Sequence, residues 1–293
     1  MNQSIGICPI QTTQYARLST LVIIGICAVS TIITISANTI VIVAFAKHRP
    51  LHSPANLLLG SLGISDLLVG FVSKPIYLTL LVSIVNDLAH LTTINTVFLY
   101  SMVLSVGTSL LHVFVITADR FLAICFPFVY QKLVTCKVYA YMLAASNGLL
   151  VIIFFTQPQG YYSFIKIGGL AGFILMIIFY TGIYIVIRKQ QRMVFSLGEI
   201  EGEAQNPATT ATENKSKMYT IVILLLMFVA CNAPALFAAY KRKEPLDICT
   251  QKVNEAVVAL WTRLLLLLNS TLNPMVYCFR MSCVRQAIKS LFE

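Results

Sequence analysis

The sequence predicts an all-α membrane protein: a seven-transmembrane helix bundle closed by a short amphipathic C-terminal helix. Three observations predict it. Hydrophobic residues make up 58% of the 293-residue chain and charged residues only 11%, against about 25% charged in soluble domains. The apolar residues gather into seven blocks, at 18–46, 55–83, 92–125, 138–157, 165–189, 217–240 and 254–279. Each is long enough for the ~20 residues that carry a helix across the hydrocarbon. The blocks also lack the strict alternation of barrel strands, and backbone in lipid has to be paired within a helix or a closed barrel.

The elements follow in order. Residues 1–17 are polar and read as an extracellular tail, with a glycosylation sequon at Asn2-Gln3-Ser4. The first block is too long for the core of a cleavable signal and reads as its own insertion signal. The bundle then occupies 18–279, with short connections apart from a polar, aperiodic stretch at about 190–216 that reads as a flexible cytoplasmic loop. In 280–293, Val284, Ile288 and Leu291 alternate with Arg285 and Lys289, the pattern of a helix lying on the inner membrane face.

Most of the 21 Lys and Arg residues, among them Lys47, Arg120, Lys132, Arg188 and Arg285, fall on one side if the N-terminus is outside. The positive-inside rule favours that topology. The net charge of +10 is then a topology signal and an attraction to anionic lipid, and gives no case for nucleic acid. Cys8 and Cys249 are the two cysteines expected outside. They form one candidate bridge, provided their Cα atoms come within reach; otherwise they are thiols.

Charged and polar residues inside the blocks carry the functional signal, because a charge at mid-membrane costs about 2.5–3.5 kcal/mol on insertion scales. Asp66 lies midway along the second block, with Asn38, Ser109, Asn269, Ser270 and Asn273 at matching depth. Those oxygens suit a small cation such as sodium. Equally, the amides could donate to Asp66, Asp66 could be protonated, or the cluster could only pin helices together. No other cofactor is implied. Lys74 and Arg263 lie toward the outer side, near Leu236 and Ala239. Two cations beside apolar walls suit an anionic amphiphile, or else each snorkels outward or pairs with Glu255 or Asp87. Asp119-Arg120 ends the third block and Asn273-Pro274-Met275-Val276-Tyr277 ends the seventh. The four His show no metal or nucleophile spacing, so no enzyme is indicated. A secondary transporter or ion-conducting protein using Asp66 is the competing class, although no internal repeat is visible.

Taken together the motifs resemble the rhodopsin-like (class A) G-protein-coupled receptors over nearly the whole chain. Asn38 stands for the family's first-helix Asn, Leu62-Gly63-Ile64-Ser65-Asp66-Leu67-Leu68 for L-x-x-x-D-L, and Asp119-Arg120-Phe121 for D-R-Y. Pro234 in Cys231-Asn232-Ala233-Pro234 stands for the C-W-x-P bend, and Tyr180 and Phe228 for the fifth-helix Tyr and sixth-helix Phe. The resemblance implies a ligand from outside or from the membrane, a small peptide included, and coupling to heterotrimeric G proteins. It makes Asp119, Arg120, Tyr180, Phe228, Pro234, Pro274 and Tyr277 the expected activation switch. Met102 falls where amine receptors of the family place Asp, which joins it to the expected ligand site and removes a monoamine's counter-ion. Leu267 falls at the retinal-lysine position. Asn95 replaces the family's third-helix Cys, Gly172 its fifth-helix Pro, and Asn232 its sixth-helix Trp. With Leu51-His52-Ser53-Pro54, the Asn95 and Gly172 departures resemble the melanocortin, cannabinoid and lysophospholipid receptors, and a Cys8–Cys249 bridge suits the melanocortin pattern.

Overall fold

A computed structural model describes residues 13–48, 53–88, 91–156, 170–172, 174–186, 188–189, 223, 226–238 and 253–291. Among these residues every regular element is helical. The helices are α1 (Gln14–Lys47), α2 (Pro54–Leu68), α3 (Lys74–Val85), α4 (Leu91–Cys125), α5 (Pro127–Leu133), α6 (Cys136–Thr156), α7 (Leu170–Val186, Phe173 apart), α8 (Leu226–Ala238), α9 (Val253–Arg280) and α10 (Ser282–Lys289). All seven apolar blocks hold helix. Four stretches, Gln14–Lys47, Asn56–Val85, Leu91–Cys125 and Val253–Val276, are long and apolar enough to cross a membrane.

Three local features depart from the reading of hydropathy. First, α1 begins at Gln14, inside the expected tail, because a helix satisfies its own backbone and need not stop where apolar side chains do. Second, a π-helical segment, Val69–Ser73, joins α2 to α3, and the Lys74 N–H bonds to the Val69 carbonyl across the wide turn. Pro75 follows at the start of α3; its ring lacks an N–H and crowds the preceding turn, and a π-bulge relieves such crowding by inserting one residue. Third, α5 starts on Pro127, in the preferred first-turn position for proline. The expected C-terminal helix is α10, with Val284 and Ala287 buried and Arg285 and Lys289 exposed. Arg285 Nη1 donates to the Phe279 carbonyl at 2.6 Å, satisfying an acceptor at the end of α9.

The chain divides into two compact units, each taking part of α1, α2, α4 and α9. The first comprises 1–40, 63–108 and 227–274, and the second 41–62, 109–226 and 275–293. The core of the first is built on Ile23, Tyr77, Leu80, Phe98, Leu260 and Leu264. Within it α1 comes very close to Gly70: a Cβ there would lie 2.9 Å from Ile35 Cγ1. In the second, Phe121 stacks on Phe179 at 5.1 Å and Phe114 lies 5.6 Å from the same ring. Gly182 makes room, since a Cβ there would meet Phe121 at 2.7 Å.

Candidate functional site

In the first unit the polar cluster forms around a proline. Pro274 lies inside α9 and has no N–H to give the carbonyl four residues earlier, which belongs to Ser270. Asn38 Nδ2 takes that carbonyl at 3.2 Å and the Thr34 carbonyl at 2.9 Å. Asn273 Nδ2 donates to Asp66 Oδ2 at 2.9 Å, with Ser270 beside the carboxylate as well. Asp66 is fully buried. Its Oδ1, with Asn38 Oδ1 and Asn269 Oδ1, has no hydrogen-bond partner of good geometry among the described residues. Asn38, Asp66, Ser270 and Asn273 are thus brought together in one unit. Ser109 is buried but belongs to the second.

Lys74 is the departure from expectation. It is fully buried, yet its ammonium is engaged inside the unit rather than left for a ligand. Nζ donates to Thr34 Oγ1 at 2.6 Å, Thr271 Oγ1 at 2.7 Å, the Ser30 carbonyl at 3.1 Å and Ser30 Oγ at 3.2 Å. The close approach of α1 at Gly70 brings Thr34 within reach. Hydropathy and motif spacing could not find this cage, because three of its residues read as ordinary small polar residues in apolar blocks.

Arg263 turns inward, at 2% exposure. Its Nη1 donates to Asn95 Oδ1 at 3.0 Å, and its guanidinium sits 5.4 Å from the Phe98 ring centre. Tyr77 stacks on the same ring at 4.6 Å and donates to the Leu260 carbonyl at 2.6 Å. Asn95 therefore supplies an acceptor for a buried cation. Met102 packs partly buried against this core and Leu236 is half-buried in α8. Ala239, Asn2, Cys8, Cys249 and the 190–216 loop lie outside the described residues, as does the Tyr277 side chain.

For a sodium ion beside Asp66, oxygen chemistry and charge count disagree. The oxygens suit it: one carboxylate oxygen and two amide oxygens have no partner among the described residues. The charge count does not, because the Lys74 ammonium is already held beside the cluster, by Thr34 and Thr271, whose neighbours Asn38 and Ser270 belong to it. A second cation would leave the interior with net positive charge, which is costly in a low-dielectric setting. The residues present do not fit an additional sodium.

In the second unit Asp119 is buried and Arg120 Nε lies 2.9 Å from its Oδ2, with the Arg120 side chain 23% exposed. Tyr130 of α5 donates to Asp119 Oδ1 at 2.9 Å, and Tyr139 of α6 donates to the same oxygen. Burial and then the Asp119 charge push the Tyr130 phenol up to about 12. The role of Tyr139 was not visible in the sequence, where an interfacial tyrosine is commonplace. The Tyr180 hydroxyl is buried with no partner among the described residues. Phe228 and Pro234, also expected in the switch, belong to the first unit. Phe228 is buried and its carbonyl accepts from Asn232 Nδ2 at 2.7 Å; Pro234 follows two residues later in α8.

Residues 37–160 and 152–277 match the family model for the 7 transmembrane receptor (rhodopsin family). The chain belongs to that family. It is a class A G-protein-coupled receptor, a multi-pass membrane protein of a non-enzymatic family. Among similar proteins, trace amine-associated receptor 1 of Homo sapiens is 24% identical over 295 residues, spanning 88% of this chain and 83% of the relative. Trace amine-associated receptor 2 of Homo sapiens is 26% identical over 289 residues, 89% and 78%. Melanocortin receptor 5 of Rattus norvegicus is 23% identical over 276 residues, 89% and 81%. The rhodopsin-family match covers α4, with Asp119 and Arg120, and α9 as far as Tyr277.

Proposed function

We propose that this receptor sits in the plasma membrane with its N-terminus outside and passes a ligand signal to heterotrimeric G proteins through Arg120. The supporting observation is the Asp119–Arg120 ion pair in a chain of this family. Arg120 is the partly exposed partner, so it is the half of the pair free to exchange Asp119 for another acceptor. Activation shifts the population between two packings, with α8 moving at Pro234 and with Tyr180 and Tyr277 as later partners of Arg120. The family resemblance puts an acid at the base of the sixth helix where this sequence has Asn214, with Glu213 one place away; that exchange leaves the resting state weakly locked and gives the receptor basal activity.

The ligand is an anionic amphiphile or a small peptide, bound near Arg263, Met102, Leu236 and Ala239. A buried guanidinium backed by Asn95 and Phe98 supports an anion. Met102, where amine receptors of the family have Asp, argues against a cationic amine despite the similarity to trace amine-associated receptors. The finer likeness to melanocortin, cannabinoid and lysophospholipid receptors rests on Asn95, Gly172 and Leu51-His52-Ser53-Pro54, and is supported by the melanocortin receptor among the relatives. Lys74 is left out of this ligand site, since its ammonium is bound within the protein.

The test is GDP release from purified heterotrimers by receptor in lipid discs. Wild type accelerates release and Arg120→Ala abolishes it; no acceleration from any heterotrimer ends the coupling proposal. Fatty-acid and lysophospholipid anions compared with monoamines then test the ligand class. Arg263→Ala weakens an anionic agonist by about 1.5–3 kcal/mol, the worth of a charged hydrogen bond. A response to amines alone overturns the anion proposal.

A further inference from the structure

We infer that the Lys74 ammonium is a resident counter-ion of the Asp66 cluster, covalently tethered and supplying the charge balance that an exchangeable metal ion would otherwise supply.

The argument starts from hydrogen bookkeeping. Thr34 Oγ1 donates to the Ser30 carbonyl at 2.7 Å, and Ser30 Oγ donates to the Cys27 carbonyl at 3.0 Å. Both hydroxyl protons are thereby committed, and what these oxygens present to Nζ is lone pairs. Thr271 Oγ1 completes the set, 2.7 Å from Nζ and 2.8 Å from Thr34 Oγ1. Four oxygens converge on one nitrogen from α1 and α9, and a charged ammonium has three donors and no acceptor. The cage is therefore complementary to a cation. Small hydroxyls and a carbonyl are also the hard oxygens that hold a bare alkali ion.

The fold brings the amine there by two devices. The wide turn at Val69–Ser73 sets the start of α3, and Gly70 lets α1 close in. Asp66 lies earlier on the same continuous stretch, and the two groups adjoin through shared neighbours: Thr34, which holds Nζ, gives its carbonyl to Asn38, and Asn38 also takes the carbonyl of Ser270, next to the cage residue Thr271. Asp66 Oδ2 is held by Asn273, so charge balance comes from Lys74 and orientation from the amide. A tethered cation cannot dissociate, and its local concentration is fixed by the chain. An exchangeable ion, in contrast, would link the stability of the bundle to its concentration in solution. The sodium content of the surrounding fluid is accordingly not an input to this protein.

The decisive measurement needs neither ligand nor G protein: thermal unfolding of receptor in lipid discs, titrated with sodium chloride against choline chloride at equal ionic strength. Wild type unfolds at the same Tm in both salts. Lys74→Met and Lys74→Gln lose stability in choline and recover it with sodium in a saturable way, by about 3 °C or more. Adding Asp66→Asn to either variant removes the sodium response. A saturable sodium-specific rise in wild type overturns the inference, because it means that an ion binds beside Lys74. Lysine variants that sodium fails to rescue overturn it too, whether they unfold early or not at all. These outcomes are independent of GDP release, so receptor coupling and the tethered cation stand or fall separately.

Discussion

The two units treat buried charge in opposite ways. In the first, two buried charges take fixed neutral hydrogen-bond partners: Lys74 has Ser30, Thr34 and Thr271, and Asp66 has Asn273. In the second, Asp119 meets a full charge directly, and that partner, Arg120, is part-exposed. Fixed dipoles in a dry interior give a charge one address, since moving it means leaving several oriented groups unpaired. A direct pair with one solvent-facing partner is easier to exchange, because water screens Arg120 while it moves. The first arrangement suits a fixed structure, and the second suits the proposed switch.

Four measurements break or sharpen that contrast. The largest effect belongs to Thr34→Val combined with Thr271→Val, which strips two acceptors from a buried ammonium. Thermal unfolding should show a loss of about 3–5 kcal/mol, the cost of an uncompensated interior charge. A loss below about 1 kcal/mol, the worth of one ordinary hydrogen bond, would mean that the cage does not fix Lys74. Next comes Tyr139→Phe, which removes a donor from Asp119 and shifts the balance against the Asp119–Arg120 pair by about 1.5–3 kcal/mol. Ligand-independent GDP release should rise, and thermal stability should fall by no more than that amount. Unaltered release would place Tyr139 in packing alone.

Asn38→Ala is expected to cost about 1–3 kcal/mol by leaving the Ser270 carbonyl without a donor. In a Pro274→Ala background the restored amide should take that carbonyl and shrink the penalty, a coupling that a double-mutant cycle reads directly. Additive effects would refute the exchange of partners. The smallest effect concerns pH. With the Tyr130 phenol raised from its ordinary value near 10 to about 12, its contribution to stability is constant below about pH 10. Between about pH 10 and 12 the unfolded phenol ionises first, so stability falls as pH rises. Tyr130→Phe should flatten that alkaline limb, and an unchanged limb would show that another group titrates there.

The Asp119–Arg120 pair and the carbonyl that Pro274 leaves free of an amide were legible in sequence. Asp119-Arg120 and Asn273-Pro274 are adjacent residues whose chemistry is local, and a proline removes an N–H wherever it stands. Lys74 and Arg263 were legible as anomalies but not as assignments. A lysine in an apolar block could face ligand, lipid or protein, and the answer depended on a one-residue π insertion before Pro75. Hydropathy is blind to that insertion because it changes rotation and not composition. Tyr139 and Thr271 carried no signal at all, since each acquires meaning only from the charge packed against it.

By itself the sequence determined that the chain is a helical membrane bundle, because apolar blocks of sufficient length have no other way to pair their backbone in lipid. It determined too where charge is costly enough to demand a partner. Which partner each charge receives was decided by tertiary packing: the close pass of α1 at Gly70, the wide turn before Lys74, and the carbonyl that Pro274 leaves for Asn38. Hydrogen bonds of this kind act over about 3 Å, and their members lie scores of residues apart in the chain, so only the folded backbone brings them together.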